Sequence, residues 1–325
     1  MATVNILQAI NQTLSQQMEK DKNIILLGED IGVAGGVFRT TEGLQKKFGK
    51  DRVLDTPISE AAIVGSSVGM ALYGLKPIAE IQFSGFVYTA FNQIVSHVAR
   101  MRNRSRGKHN LPMIIRMPYG GGVRALEHHS ESMESIFAHI PGIKVVIPSN
   151  PYDAKGLLTA AINDPDPVIF MEPKRLYRAF KQEIPDEEYE VPLGKARVVK
   201  EGKDITVVAW GALVREVDKA IKDLDGIDVE LIDLRTISPF DYETIINSVK
   251  KTGRFLVVHE AMNSFGPGAE LITTVNEKAF YYLEAPPHRL TGFDVTVPLA
   301  RGENYFIIDS DRIATEIKKI MSLEA

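Results

Sequence analysis

"RVLDTPISEAAIVGSSVGMALYGLKPIAEIQF", residues 52–83, holds two candidate strands on either side of a run of small residues. "RVLDT" and "PIAEIQF" are short runs rich in strand-forming residues, and between them Ser59 to Gly74 is small and apolar enough to pack closely as a helix. Strand, helix, strand is the unit from which parallel sheets are built. One carboxylate, Glu60, stands at the head of the small-residue run, and its presence there needs a reason.

The same alternation extends in both directions. Upstream, Thr3 can cap a helix marked by Val4, Leu7, Ile10, Leu14 and Met18, followed by the apolar strand "NIILLGED" and the helix "TEGLQKKFG" that Gly49 ends. Downstream come a long helix after Gly85, strand "PMIIRMP", a glycine-rich loop, helix "SMESIFAHIPG", strand "KVVIPS", helix "YDAKGLLTAAIND" and strand "PVIFME". Continuous Val/Ile-rich strands separated by amphipathic helices indicate an α/β domain, a mostly parallel sheet with helices on both faces. From about residue 176 to 202 the pattern lapses into proline and charge, which reads as a linker. A second α/β unit, 203–325, then carries strands "DITVVAWGA", "DVELIDLRT" and "RFLVVHEA". The expected organisation is therefore two α/β domains, 1–175 and 203–325, each built on a mostly parallel sheet.

Composition narrows the chemistry. The chain has 325 residues, 44% hydrophobic and 25% charged, enough for two cores. A formal net charge of -4 gives no reason to expect nucleic acid or an anionic membrane as partner. There is no cysteine, which excludes disulfides, thiolate nucleophiles and iron–sulfur ligation, and fits a cytoplasmic protein. Polar residues interrupt the N-terminus too often for a signal peptide, and no apolar run is long enough to span a bilayer.

Three places could carry function. Glu60 in a first turn after Ser59 is accounted for by capping and the helix dipole; at a buried junction it would instead need a partner or a raised pKa. "YGGGVRALEHHSES", residues 119–132, combines three glycines with His128 and His129. It reads as a solvated loop or as one that approaches a ligand with a single histidine, since adjacent histidines do not point at one site from a regular element. "ARMRNRSRGKH" gathers Arg100, Arg102, Arg104, Arg106 and Lys108 but lacks interleaved aromatics, so a cationic helix end explains it. No GxxxxGK[ST] loop and no GxGxxG after a strand is present.

Taken in order, "GEDIGVAGGVFRTTEGLQKKFG", "RVLDTPISE", "IAEIQF", "EHHSES", "HIPGIKVVIPSNPYDAKGLL", "VVAWGALV", "DLRTISPFD" and "KTGRFLVVHEA" resemble the beta subunit of the thiamine-diphosphate-dependent 2-oxoacid dehydrogenases over nearly the whole chain. "FMEPKRLYRA" and "VAWG" look more like the branched-chain members than the pyruvate members. "VPLARGENYFIIDSDR" departs from the usual segment. The resemblance implies a transketolase-like pyrimidine-binding domain and a transketolase C-terminal-like domain, in an alpha2beta2 heterotetramer that acylates the lipoyl group of an acyltransferase core. The alpha subunit would hold the diphosphate and Mg²⁺. Glu60 then matches the glutamate that hydrogen-bonds the aminopyrimidine ring nitrogen, Phe86 the aromatic stacked on that ring, and Gln82 a polar residue lining the pocket. His129 matches the histidine near the reacting carbon, and Met113, Ala161, Ile162, Asp164 and Asp166 match a structural K⁺ site held mainly by backbone oxygens. Asp166 stands where relatives commonly carry asparagine. A single-chain transketolase-type enzyme would share Glu60 but needs a diphosphate-binding domain that is missing here. A non-catalytic scaffold subunit is the reading from a different class.

Overall fold

The computed structural model describes residues 1–323. A seven-stranded sheet runs in the order Thr236–Ser238, Lys144–Val146, Val168–Pro173, Ile114–Tyr119, Lys76–Glu80, Ile24–Gly28, Val53–Asp55. All its pairings are parallel except that of the Thr236–Ser238 edge. A second sheet has five strands, His288–Gly292, Phe255–Met262, Ile205–Ala209, Val229–Asp233 and Arg197–Lys200, antiparallel only at the last. The α/β expectation, two mostly parallel sheets flanked by helices, is what the chain forms.

Helix Ile6–Lys20 buries Leu7, Ile10, Leu14 and Met18 at the expected spacing. Its cap is Asn5, not Thr3: Asn5 Oδ1 accepts from the Gln8 amide at 2.9 Å while Gln8 Oε1 accepts from the Asn5 amide at 3.1 Å. Thr3 belongs instead to a short strand, Ala2–Val4, paired with Gln182–Ile184. The 176–202 stretch is therefore not bare linker, since it supplies that strand and also Arg197–Lys200.

The long helix expected after Gly85 is broken. Ser84–Ala90 is a 3-10 turn, Phe91–Gln93 a short α segment, Ile94–Val98 a π segment and Met101–Arg104 a final α turn. Phe83, extended, precedes the turn, and its carbonyl accepts from the Phe86 amide at 3.0 Å, which leaves the two rings 5.8 Å apart. Helical periodicity in the sequence does not distinguish these three helix types.

Two core clusters cover the two faces of the first sheet. One of them joins Ile115 and Met117 of that sheet to Trp210, Val208 and Val257 of the second. A third cluster packs helices Ala212–Lys222 and Ser310–Met321 against the far face of the second sheet. Among the described residues no helix is long and apolar enough to cross a membrane.

Candidate active site

Parallel strands deliver their following loops to one edge of a sheet, and ligands bind there where the chain order switches sides. Here Ile24–Gly28 is the switch: the next strand, Val53–Asp55, lies on one side of it and Lys76–Glu80 on the other. Gly28 is in register with both Asp55 and Glu80. Glu29, Glu60 and Gln82 therefore leave the sheet at the same edge, and the loop from Gly120 leaves it one strand further on.

Glu60 is the first residue of helix Glu60–Leu72 and is buried. Ser59 occupies the cap position without a side-chain capping bond. What holds Glu60 is Thr89, whose hydroxyl donates to Oε2 at 2.8 Å and lies 3.2 Å from the Phe86 carbonyl. Oε1 is left for another donor. Glu29 is buried nearby with Oε1 unpartnered, and its pKa is raised by burial and then by the negative charges of Glu60 and Asp30. Two carboxylates with few protein donors form a site for a ligand that brings its own proton.

The aromatic side of the site is Phe83, Phe86 and His129. The imidazole centroid lies 4.2 Å from the Phe83 ring and 5.2 Å from the Phe86 ring, the latter nearly perpendicular at 81°. Gly85 makes this approach possible, since a Cβ there would stand 2.3 Å from the His128 carbonyl oxygen. His129 Nδ1 is buried without a partner. Its pKa is lowered by burial first, then by the cationic Lys174 and by His128, so the ring is held neutral near pH 7. His128, by contrast, is exposed.

The structure thus brings Glu60, Phe86 and His129 together through Thr89 and Phe83, and places Gln82 at the rim, where its amide donates to Asp30 at 3.1 Å. Sequence reasoning missed Glu29 and Thr89. Glu29 had a signal, a carboxylate directly after a buried parallel strand; Thr89 had none, since its role depends on the 3-10 geometry.

The five residues matched to a cation lie elsewhere, at the C-terminal end of helix Pro151–Asn163 and the adjoining strand starts. Lys144 Nζ donates to both Asp164 oxygens at 2.6 Å, and Arg102 donates to Asp166 Oδ1 at 2.5 Å. The Met113 carbonyl already accepts from Val168 at 3.1 Å and that of Ala161 from Asp164 at 3.3 Å. Among the described residues no cluster of three or more His, Cys, Asp or Glu groups is arranged to hold a metal. The carboxylates are neutralised within the protein, so they do not fit the part of charged ligands. Backbone carbonyl oxygens remain for a cation.

Residues 2–179 match the family "Transketolase, pyrimidine binding domain" and residues 194–313 match "Transketolase, C-terminal domain". The chain is 66% identical over 322 residues to the pyruvate dehydrogenase E1 component subunit beta of Acholeplasma laidlawii, covering 98% of each chain. The chain belongs to the E1 beta-subunit family of the 2-oxoacid dehydrogenases. The proteins of the same name from Mycoplasma genitalium and Bacillus subtilis are 53% and 48% identical to this E1 beta chain, over 98% and 99% of each. In fold, the E1 beta chain superposes on a split-gene transketolase described as an inactive beta4 tetramer, with a TM-score of 0.81, 20% identity and full coverage of both chains. That likeness concerns architecture alone.

The E1 beta family depends on thiamine diphosphate, and the residues present suit one half of it. Glu60 Oε1 and the unpartnered Glu29 oxygen offer acceptors, and Phe83, Phe86 and His129 offer flat apolar surface. A glycine-rich phosphate cradle of either common kind is missing from the sequence of this E1 beta chain.

Proposed function

We propose that this chain is the beta subunit of a pyruvate dehydrogenase E1 component. With an alpha subunit, in an alpha2beta2 heterotetramer in the cytoplasm, it would decarboxylate pyruvate and acylate the lipoyl group of an acyltransferase core. The observation that carries this reading is the buried Glu60 carboxylate at the carboxyl edge of the sheet, tied through the Thr89 hydroxyl to the Phe86 backbone, whose side-chain ring lies 5.2 Å from the His129 imidazole. The branched-chain expectation drawn from "FMEPKRLYRA" gives way to pyruvate because the relatives that align over 98–99% of the chain carry pyruvate in their names.

Thiamine diphosphate, when bound, supplies the carbon nucleophile and electron sink for decarboxylation. In this chain Glu60 would accept a hydrogen bond from the pyrimidine ring nitrogen and hold a proton there. Phe86 would stack on the ring and Gln82 would border it. His129, neutral at rest and lacking a partner at Nδ1, can give or take a proton where charge develops during acyl transfer. Mg²⁺ and the diphosphate would be held by the alpha subunit. Residues 1–175 would form the pyrimidine-binding domain, and 203–325 would carry subunit and complex contacts. A monovalent cation at Met113, Ala161, Ile162, Asp164 and Asp166, if bound, would rest on backbone oxygens.

The test is co-expression with an alpha-type partner and an assay across pyruvate and branched 2-oxo acids. Pyruvate should be the preferred substrate by kcat/KM; preference for a branched acid would restore the branched-chain assignment, and no turnover of any 2-oxo acid would favour a scaffold.

A further inference from the structure

The loop that carries His129 is anchored in a cradle that the active-site residues do not explain. Its three glycines each lie against a side chain of the surrounding protein. A Cβ on Gly120 would stand 2.5 Å from Glu260 Oε2, one on Gly121 3.1 Å from Glu303 Oε1, and one on Gly122 2.4 Å from Arg175 Cδ. Gly120 and Gly122 also have φ of +82° and +94°. The glycines therefore serve close contact with the protein's own side chains, and the solvated-loop reading fails for this end of the loop, where Gly120 and Gly121 are buried.

Glu303 closes the cradle. It lies in the departing segment "VPLARGENYFIIDSDR", yet its side chain is fully enclosed, with 1% exposure. Its two carboxylate oxygens are divided between two backbone amides of the loop: Gly122 donates to Oε1 at 2.7 Å and Arg124 donates to Oε2 at 2.7 Å. These bonds join residues 181 and 179 positions apart in sequence. Arg124 has a φ of +54°, a conformation that a non-glycine residue holds only when its surroundings fix it. On the other side, buried Lys174 donates to the Gly120 carbonyl. A carboxylate thus takes the loop's N–H groups and an ammonium takes its carbonyl, and charge-assisted bonds of this kind are the strong ones. Five residues beyond Arg124, His129 rests on Phe83 and Phe86.

We propose that Glu303 is a positioning residue: from the C-terminal domain it fixes the Gly120–Arg124 segment and so sets His129 against Phe86. This rests on the proposed role of His129 in acyl transfer. It also assigns the C-terminal domain a part in the active site of its own chain, in addition to subunit contacts.

The experiment uses the alpha–beta complex and three variants, Glu303→Ala, the isosteric Glu303→Gln and His129→Ala, together with the Glu303→Ala/His129→Ala pair. In Glu303→Ala, amide exchange at Gly122 and Arg124 should accelerate ~10-fold or more, because both amides lose their acceptor. Lipoyl acylation should fall ~10- to 100-fold with KM for the 2-oxo acid little changed, as expected for a misplaced group. Glu303→Gln keeps one acceptor oxygen and should restore part of both the protection and the rate, which also covers the case in which the alanine variant folds poorly. Adding Glu303→Ala to His129→Ala should cost little more, since both act through one group. Multiplying losses in the pair, or wild-type exchange at both amides in Glu303→Ala and Glu303→Gln, would overturn the clamp while leaving the His129 reading intact. Full acylation by His129→Ala would overturn the catalytic role of that histidine and the purpose of the clamp, even if the amides still lose protection.

Discussion

Replacing Glu60 by glutamine exchanges one carboxylate oxygen for an amide and leaves the volume almost unchanged. Thr89 donates its hydroxyl to Glu60 Oε2 at 2.8 Å, so the glutamine would turn its remaining oxygen toward Thr89 and present its NH₂ to the pocket. An acceptor that can hold a proton becomes a donor that cannot. Loss of a general acid–base partner costs ~100- to 10,000-fold in rate, or ~3–5 kcal/mol of transition-state stabilisation. Stability should move the other way. Glu29 has its pKa raised by burial and by the neighbouring charge of Glu60. A carboxylate whose folded pKa lies above its unfolded value destabilises the fold as pH rises through that range, so removing the Glu60 charge relieves Glu29 at neutral pH. The reconstituted variant should therefore show kcat down by at least ~100-fold and, measured without cofactor, a Tm at pH 7 equal to or above wild type. Turnover within ~3-fold of wild type would leave Glu60 no more than a first-turn acid of the helix dipole.

Three further outcomes are expected. His129→Ala should slow lipoyl acylation more than decarboxylation read with an artificial electron acceptor, while the exposed His128→Ala keeps most activity in both assays; equal losses in both assays would move His129 to decarboxylation or substrate binding. Glu134 is buried with its pKa pushed up to about 7 by burial, so wild-type Tm should fall as pH rises from 6.5 to 8, and Glu134→Gln, which keeps the acceptor for Trp210, should flatten that slope. Buried His259, whose pKa is lowered to about 3 by burial, acts with the opposite sign below its ordinary range and does not mask this window; an unchanged slope in Glu134→Gln would place the titration elsewhere. Exchange of K⁺ for a bulky organic cation should lower Tm if backbone carbonyls near Met113 and Ala161 hold a cation, whereas an unchanged Tm means that Lys144 and Arg102 are the only cations there.

Strand order within each sheet was beyond the sequence, but the strands themselves were legible because buried parallel strands are continuous apolar runs, as in "NIILLG" and "VIFME". The helix start at Asn5 was misplaced because Thr3 and Asn5 are both good caps, and only the pairing of Ala2–Val4 with Gln182–Ile184 excludes Thr3. Of the candidate site, Glu60 and His129 lie inside the motifs "RVLDTPISE" and "EHHSES", and Phe86 is reached by carry-over three residues past "IAEIQF". Glu29 carried a signal of its own, a carboxylate directly after a buried strand, whereas Thr89, Lys174 and Glu303 carry none, because each acts through a partner distant in sequence: Thr89 on Glu60, Lys174 on Gly120, Glu303 on Gly122 and Arg124. The glycines at 120–122 invited a ligand reading, since sequence shows that a backbone can be approached closely but not by what.

Calorimetry on the separate and assembled subunits distinguishes a cofactor site shared between two chains from one held by this chain alone. Thiamine diphosphate with Mg²⁺ titrated into the chain alone should give almost no heat, because no phosphate-binding loop is present in its sequence; the same titration into the alpha–beta complex should show saturable, Mg²⁺-dependent binding that Glu60→Gln weakens. Tight, Mg²⁺-dependent binding by the isolated chain would contradict the shared site.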